Sequence, residues 1–139
     1  MQFDDLQLHD IYDSTSGYCH ICHKKLARKN YGVLGAKGAW EVDHSNPRAN
    51  GGTDRLCNLF AACISCNRSK GASSSKVARY RNGKKRAPIS QSARKRIRKR
   101  NVILGVSAGI AVGRVFGPLG IAVGGFIGAA LGNSAKIDK

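Results

Sequence analysis

A chain of 139 residues can hold one domain of ordinary size with attachments, and it is too short for two full cores. Its 24 Lys and Arg against 8 Asp and Glu give a formal net charge of +16, which points to a polyanionic partner such as nucleic acid or an acidic membrane face. The charge is confined to one stretch: residues 1–67 carry 7 basic and 7 acidic side chains, whereas residues 68–100 carry 14 Lys or Arg and no Asp or Glu.

The opening segment, MQFDDLQLHD, is acidic and has neither a basic start nor an apolar run, so a Sec-type signal peptide is not expected. In the reducing cytoplasm this implies, five cysteines serve as metal ligands or plain thiols rather than disulfides. Cys19-x-x-Cys22 and Cys63-x-x-Cys66 form two equally spaced pairs, and Cys57 is left over as a small core residue. Two such turns supply the four thiolates of a closed, structural Zn²⁺ site. His20 and His23, inside CHICH, compete as ligands, but the second pair offers only cysteines and symmetry favours four sulfurs. Such a staple suits a module of about 70 residues, whose apolar core alone is marginal.

AWEVDHS, residues 39–45, is rich in strand formers, and NPRANGGTD, residues 46–54, is a loop. LCNLFAA, residues 56–62, is a second short strand. A helix is expected after Cys66 in NRSKGASSSKVARYRN, weakest at Gly71 and the three serines. The order is therefore strand, loop, strand, knuckle turn, helix.

Asp43-His44, then NPRANGG, then Asn58-Leu59, then CISCNRSKG at residues 63–71, together resemble the HNH endonucleases of the ββα-metal fold over residues 14–72. The resemblance includes the four-cysteine zinc site found in many members. It implies an α+β module that hydrolyses DNA phosphodiester bonds, with His44 as general base. Asp43 and Asn67 would be ligands of a catalytic Mg²⁺ or Mn²⁺, and Asn58 would brace the loop that aims His44. The chemistry suits those residue types: free imidazole titrates near neutral pH, and oxygen ligands suit hard divalent cations. Neighbouring residues on a strand face opposite sides, but a strand end breaking into a loop can aim Asp43 at a metal and His44 at a water. Glu41 is taken as an ordinary strand residue. Arg48, Arg68, Lys70, Lys76, Arg79 and Arg81 are candidate phosphate contacts.

Residues 73–101 read as a basic helix extension and linker, with the half nearer the knuckle facing DNA and ARKRIRKR, residues 93–100, facing anionic lipid. In residues 102–133, Gly105, Gly109, Gly113 and Gly117, then Gly120, Gly124, Gly128 and Gly132, recur every four residues. The stretch resembles glycine-zipper segments of bacterial membrane-associated proteins, in which small residues let helices approach closely. A break at Gly117-Pro118 predicts a glycine-rich helical hairpin, with Arg114 near the turn, and possible self-association.

These readings combine as a nuclease module over residues 1–72, held through 73–101 at the cytoplasmic side of a bacterial inner membrane, with a bacterial or phage origin expected. The competing classes are a nuclease toxin that uses the glycine segment for membrane passage, and a zinc protein that binds DNA without cutting it. For these the locations would be outside the cell and the cytoplasm.

Overall fold

The computed structural model describes residues 3–113 together with Ile127, Ala130 and Leu131. The chain divides after Gln91 into two units. The first opens with helix α1 (Asp5–Asp13), which is not among the expected elements although DDLQ carries its signal. The Asp4 carboxylate accepts from the Gln7 backbone N–H at 2.7 Å, and the Gln7 side chain accepts from the Asp4 N–H at 3.2 Å, a reciprocal cap. Ile11 enters the core from this helix, and the Tyr12 hydroxyl donates to the Leu26 carbonyl at 2.8 Å.

Strands β1 (Trp40–His44) and β2 (Leu59–Cys63) pair antiparallel, with Trp40 opposite Cys63 and His44 opposite Leu59. The first strand lies where expected. The second starts three residues later than expected, because Leu56–Asn58 closes a tight helical turn before the chain extends. Cys57 belongs to that turn and is exposed, so it is not the core residue its type suggests.

In place of one helix after Cys66 there are two, α2 (Ile64–Lys70) and α3 (Ser75–Arg81). Cys66 lies inside the first turn of α2. The break falls at Gly71, whose φ of +51° a residue with a side chain would resist, and Ser74 starts the chain again by accepting from the Val77 N–H.

The core is built on Trp40, packed between Tyr12 and Tyr31 with ring centroids 5.4 and 4.9 Å away and its indole N–H on the Arg28 carbonyl. Ile11, Ile21, Leu26 and Leu59 complete it. Successive strand residues face opposite sides, so the full burial of both Ala61 and Ala62 means that β2 is covered on both faces.

In the second unit, helix α4 (Gln91–Gly113) runs unbroken through residue 101, where the sequence reading divides a linker from an apolar segment. No Gly or Pro occurs between Gln91 and Leu104, and Arg, Lys, Ala, Ile and Leu all sustain a helix. Among the described residues no helix is long and apolar enough to cross a membrane. Arg114, the break at Gly117-Pro118 and most of the expected hairpin lie outside the described residues.

Candidate active site and zinc centre

The two Cys-x-x-Cys turns meet. The sulfurs of Cys19, Cys22, Cys63 and Cys66 all lie within 4.8 Å of one another, and the Cys22 and Cys63 sulfurs are 3.8 Å apart. A tetrahedron with zinc–sulfur bonds of about 2.3 Å has edges of about 3.8 Å, whereas a disulfide requires about 2 Å. The cluster therefore fits a zinc ion and not a crosslink.

Burial and the neighbouring Cys19 charge push the Cys66 thiol up to about 12, while hydrogen bonds from Cys19 and Cys63 draw the Cys22 thiol down. Four thiolates can share this space only around a cation.

The two turns are built differently. In the first, the His23 N–H donates to the Cys19 carbonyl and His23 takes a left-handed φ of +65°. The second runs directly into α2, with Cys63 as the residue that precedes the helix. His20 and His23 lie outside the cysteine cluster.

At the far end of β1, His44 is 19% exposed and its Nε2 lies 2.7 Å from Asp54 Oδ1. Arg48 also donates to that oxygen, from Nε at 2.9 Å and from a terminal nitrogen at 2.6 Å. The hydrogen bonds from His44 and then Arg48 hold the Asp54 carboxyl below the usual range. An ionised carboxylate can only accept, so His44 donates from Nε2 and, when neutral, keeps its lone pair on Nδ1.

The loop carrying Asp54 is clamped by Asn58. Its Oδ1 accepts from the Asn46 N–H at 2.8 Å, and its Nδ2 donates to the carbonyls of Asn46 and Thr53 at 3.0 and 2.8 Å. Gly52 is required where the loop closes, since a Cβ there would fall on the Asn46 carbonyl.

Asp43 faces the other way and is 4% exposed. Lys70 Nζ donates to its Oδ1 at 2.9 Å and His20 Nε2 to its Oδ2 at 2.7 Å. Arg79 lies 3.4 Å from His20 Nδ1, which must then be the unprotonated nitrogen. Burial holds His20 below the usual imidazole range, so the ring is neutral. Glu41, two residues before Asp43 and so on the same strand face, accepts from Asn67 Nδ2 at 2.9 Å and lies 3.5 Å from Arg68. Helix α2 thus presents Asn67 to Glu41 and, three residues on, Lys70 to Asp43.

Residues 19–73 match the model of the HNH endonuclease family. No curated protein and no solved structure matches the chain. The match and the four-cysteine cluster together fit a zinc-binding HNH module, and the mixed two-stranded and helical architecture is consistent with one. An HNH module suggests a nuclease, with DNA as the polymer it acts on.

The matched region places its expected residues unevenly. His44 and Asn58 converge on the loop at residues 46–54, whereas Asp43 faces α2 and Asn67 belongs to that helix, each with partners of its own. Arg48, Arg68, Lys76 and Arg81 are exposed. Lys70 is buried on Asp43, and Arg79 is half-buried against His20.

Three site residues escape the sequence reading: Asp54, His20 and the engaged role of Glu41. Asp54 follows GGT in a loop where polar residues are ordinary. His20 is masked by the cysteines around it.

A hard divalent cation has donors of the right kind here. Asp43 accepts one bond on each oxygen and retains lone pairs, and the amide of Asn67 is engaged through its nitrogen, leaving its oxygen as the acceptor. Lys70 already neutralises Asp43, so such an ion competes with a resident ammonium.

Proposed function

We propose that this chain is a zinc-stapled HNH nuclease that hydrolyses DNA phosphodiester bonds, with His44 as general base. The observation that carries the reading is the His44–Asp54 contact at the end of β1. It fixes the ring in the tautomer whose free lone pair can take a proton.

In the hydrolytic step, His44 Nδ1 accepts a proton from a water whose oxygen bonds to the scissile phosphorus, and the bond from phosphorus to the leaving oxygen breaks. Asp54 holds the ring and stabilises the imidazolium that forms, with Arg48 keeping Asp54 ionised. Asn58 keeps the loop from drifting. Asp43 and Asn67 would hold a Mg²⁺ or Mn²⁺ ion, which when bound takes up charge on the scissile phosphate and leaving oxygen. Arg68, Lys76 and Arg81 supply exposed positive charge for the DNA backbone.

Incubation of the zinc-loaded protein with supercoiled plasmid, with and without Mg²⁺ or Mn²⁺, tests this. Parent protein yields nicked or linear DNA, His44→Ala yields none at equal zinc content, and Asp54→Asn is slowed by about 10- to 100-fold, less than the roughly 10²- to 10⁴-fold that the base itself contributes. Intact plasmid under every condition would leave a zinc protein that binds DNA without cutting it.

A further inference from the structure

Helix α3 has an inner and an outer side. Ser75 and Ala78 are buried, and Arg79 turns in toward His20. On the outer side Tyr80 is 84% exposed and Val77 43% exposed.

The ring borders a shallow groove. After Arg81 the chain reverses: the Gly83 N–H donates to the Tyr80 carbonyl, the Lys84 N–H donates to the Arg79 carbonyl, both at 2.9 Å, and Gly83 takes a left-handed φ of +65°. This return brings Lys84 and Lys85 alongside Tyr80. With Lys76 and Val77 they line a shallow depression of about 510 Å³. Three lysines and one tyrosine thus share one depression, and no Asp or Glu occurs anywhere in residues 68–100 to oppose them.

We propose that this groove binds single-stranded nucleic acid, with one unpaired base stacked on Tyr80 and the flanking phosphates on Lys76, Lys84 and Lys85. An aromatic face accepts any base, and lysines around it select a polyanion. A flat duplex offers no free base face to the ring. The placement suits the site already described. The Ser75 N–H donates to the carbonyl of Ser45, the residue after His44, at 3.0 Å, and Tyr80 follows about 7.5 Å further along the helix axis. That is about two steps of a DNA strand. A strand frayed or unpaired next to the cut is held in place, so the enzyme favours branched or single-stranded DNA over plain duplex. The inference rests on the nuclease reading for its choice of DNA.

The test is equilibrium binding by fluorescence anisotropy, using the full-length zinc-loaded protein with no added Mg²⁺ or Mn²⁺. The probes are a labelled 20-nucleotide oligothymidylate and a labelled 20-base-pair duplex. Tyr80→Ala is expected to weaken oligothymidylate binding about 5- to 100-fold and duplex binding less than twofold, and Tyr80→Phe to stay within about twofold of the parent on both. Lys84→Gln lowers the salt dependence of binding. Unchanged zinc content and melting temperature establish that each variant is folded.

Equal oligothymidylate affinity in parent and Tyr80→Ala overturns the groove. So does a Tyr80→Ala defect found on phosphatidylglycerol vesicles and absent on the oligonucleotide, which would make the patch a membrane contact. Neither result touches the plasmid assay. Conversely, Tyr80-dependent binding by a protein that leaves plasmid intact keeps the groove and removes the nuclease.

Discussion

Lys70→Met isolates the most deeply buried ion pair of unlike charges among the described residues. The Lys70 side chain is 2% exposed and Asp43 is 4% exposed, with 2.9 Å between Nζ and Oδ1. Water therefore cannot take over when the ammonium is removed. Met matches the length of the Lys stem, so packing is largely retained and the loss is that of charge compensation. His20 remains on Oδ2, but burial keeps that ring neutral, so it offers a hydrogen bond and no countercharge. Removing one partner of a buried pair costs about 3–5 kcal/mol, because a charge is left stranded. Urea unfolding in excess zinc, followed by Trp40 fluorescence, measures it. Asp43→Asn in the Lys70→Met background should return most of the loss, since an amide needs no countercharge and still accepts from His20. If Lys70→Met costs less than about 1 kcal/mol, or the second change returns nothing, Asp43 is reached by solvent and the buried-pair account fails.

Cys→Ser at any one of residues 19, 22, 63 or 66 should release zinc and abolish the cooperative unfolding transition, while Cys57→Ser keeps full zinc by metal analysis, as its exposed place in the turn before β2 implies. Gly52→Ala should displace the loop at residues 46–54 and lower plasmid cleavage by at least about tenfold with zinc retained, since misplacing a catalytic group by about 1 Å costs 10²-fold. Ending the chain after Gln91 should leave zinc content and cleavage intact, because every candidate ligand and catalytic residue precedes that point. A full-length protein that sediments with membranes while the shortened one stays in the supernatant would assign the tether to α4 and the residues after it.

What the sequence disclosed was whatever repeats or alternates. The paired cysteines are spaced for one ion, and the strand formers at residues 39–45 end where Asn46-Pro47 must turn. The second strand was misplaced by three residues because LCN and LFA are similar in apolar content, and nothing local says that the first will coil. The division at Gly71 was only half legible: glycine marked a weak point, but whether a helix bends or stops there depends on the Ser74 cap beyond it. Partners distant along the chain were least visible. His20 and Asp43 are 23 residues apart and Lys70 is 27 beyond Asp43, so only the fold brings them together. Asp54 was near enough to His44 to suspect. A carboxylate in a glycine loop carries no mark that distinguishes an orienting residue from a solvated one.

The junction at Cys63 has a consequence for how such a chain can change over generations. The last residue of β2 is at once a member of the four-cysteine cluster and the residue before α2, so an ion bound by that cluster would set the rotational phase of the helix. Asn67 and Lys70 meet Glu41 and Asp43 only in this phase. One inserted or deleted residue between Cys63 and Asn67 would turn all that follows by about 100° and swing both side chains off the strand. Lineages descended from this chain must therefore keep the count from Cys63 to Lys70 fixed even where they replace the residues themselves.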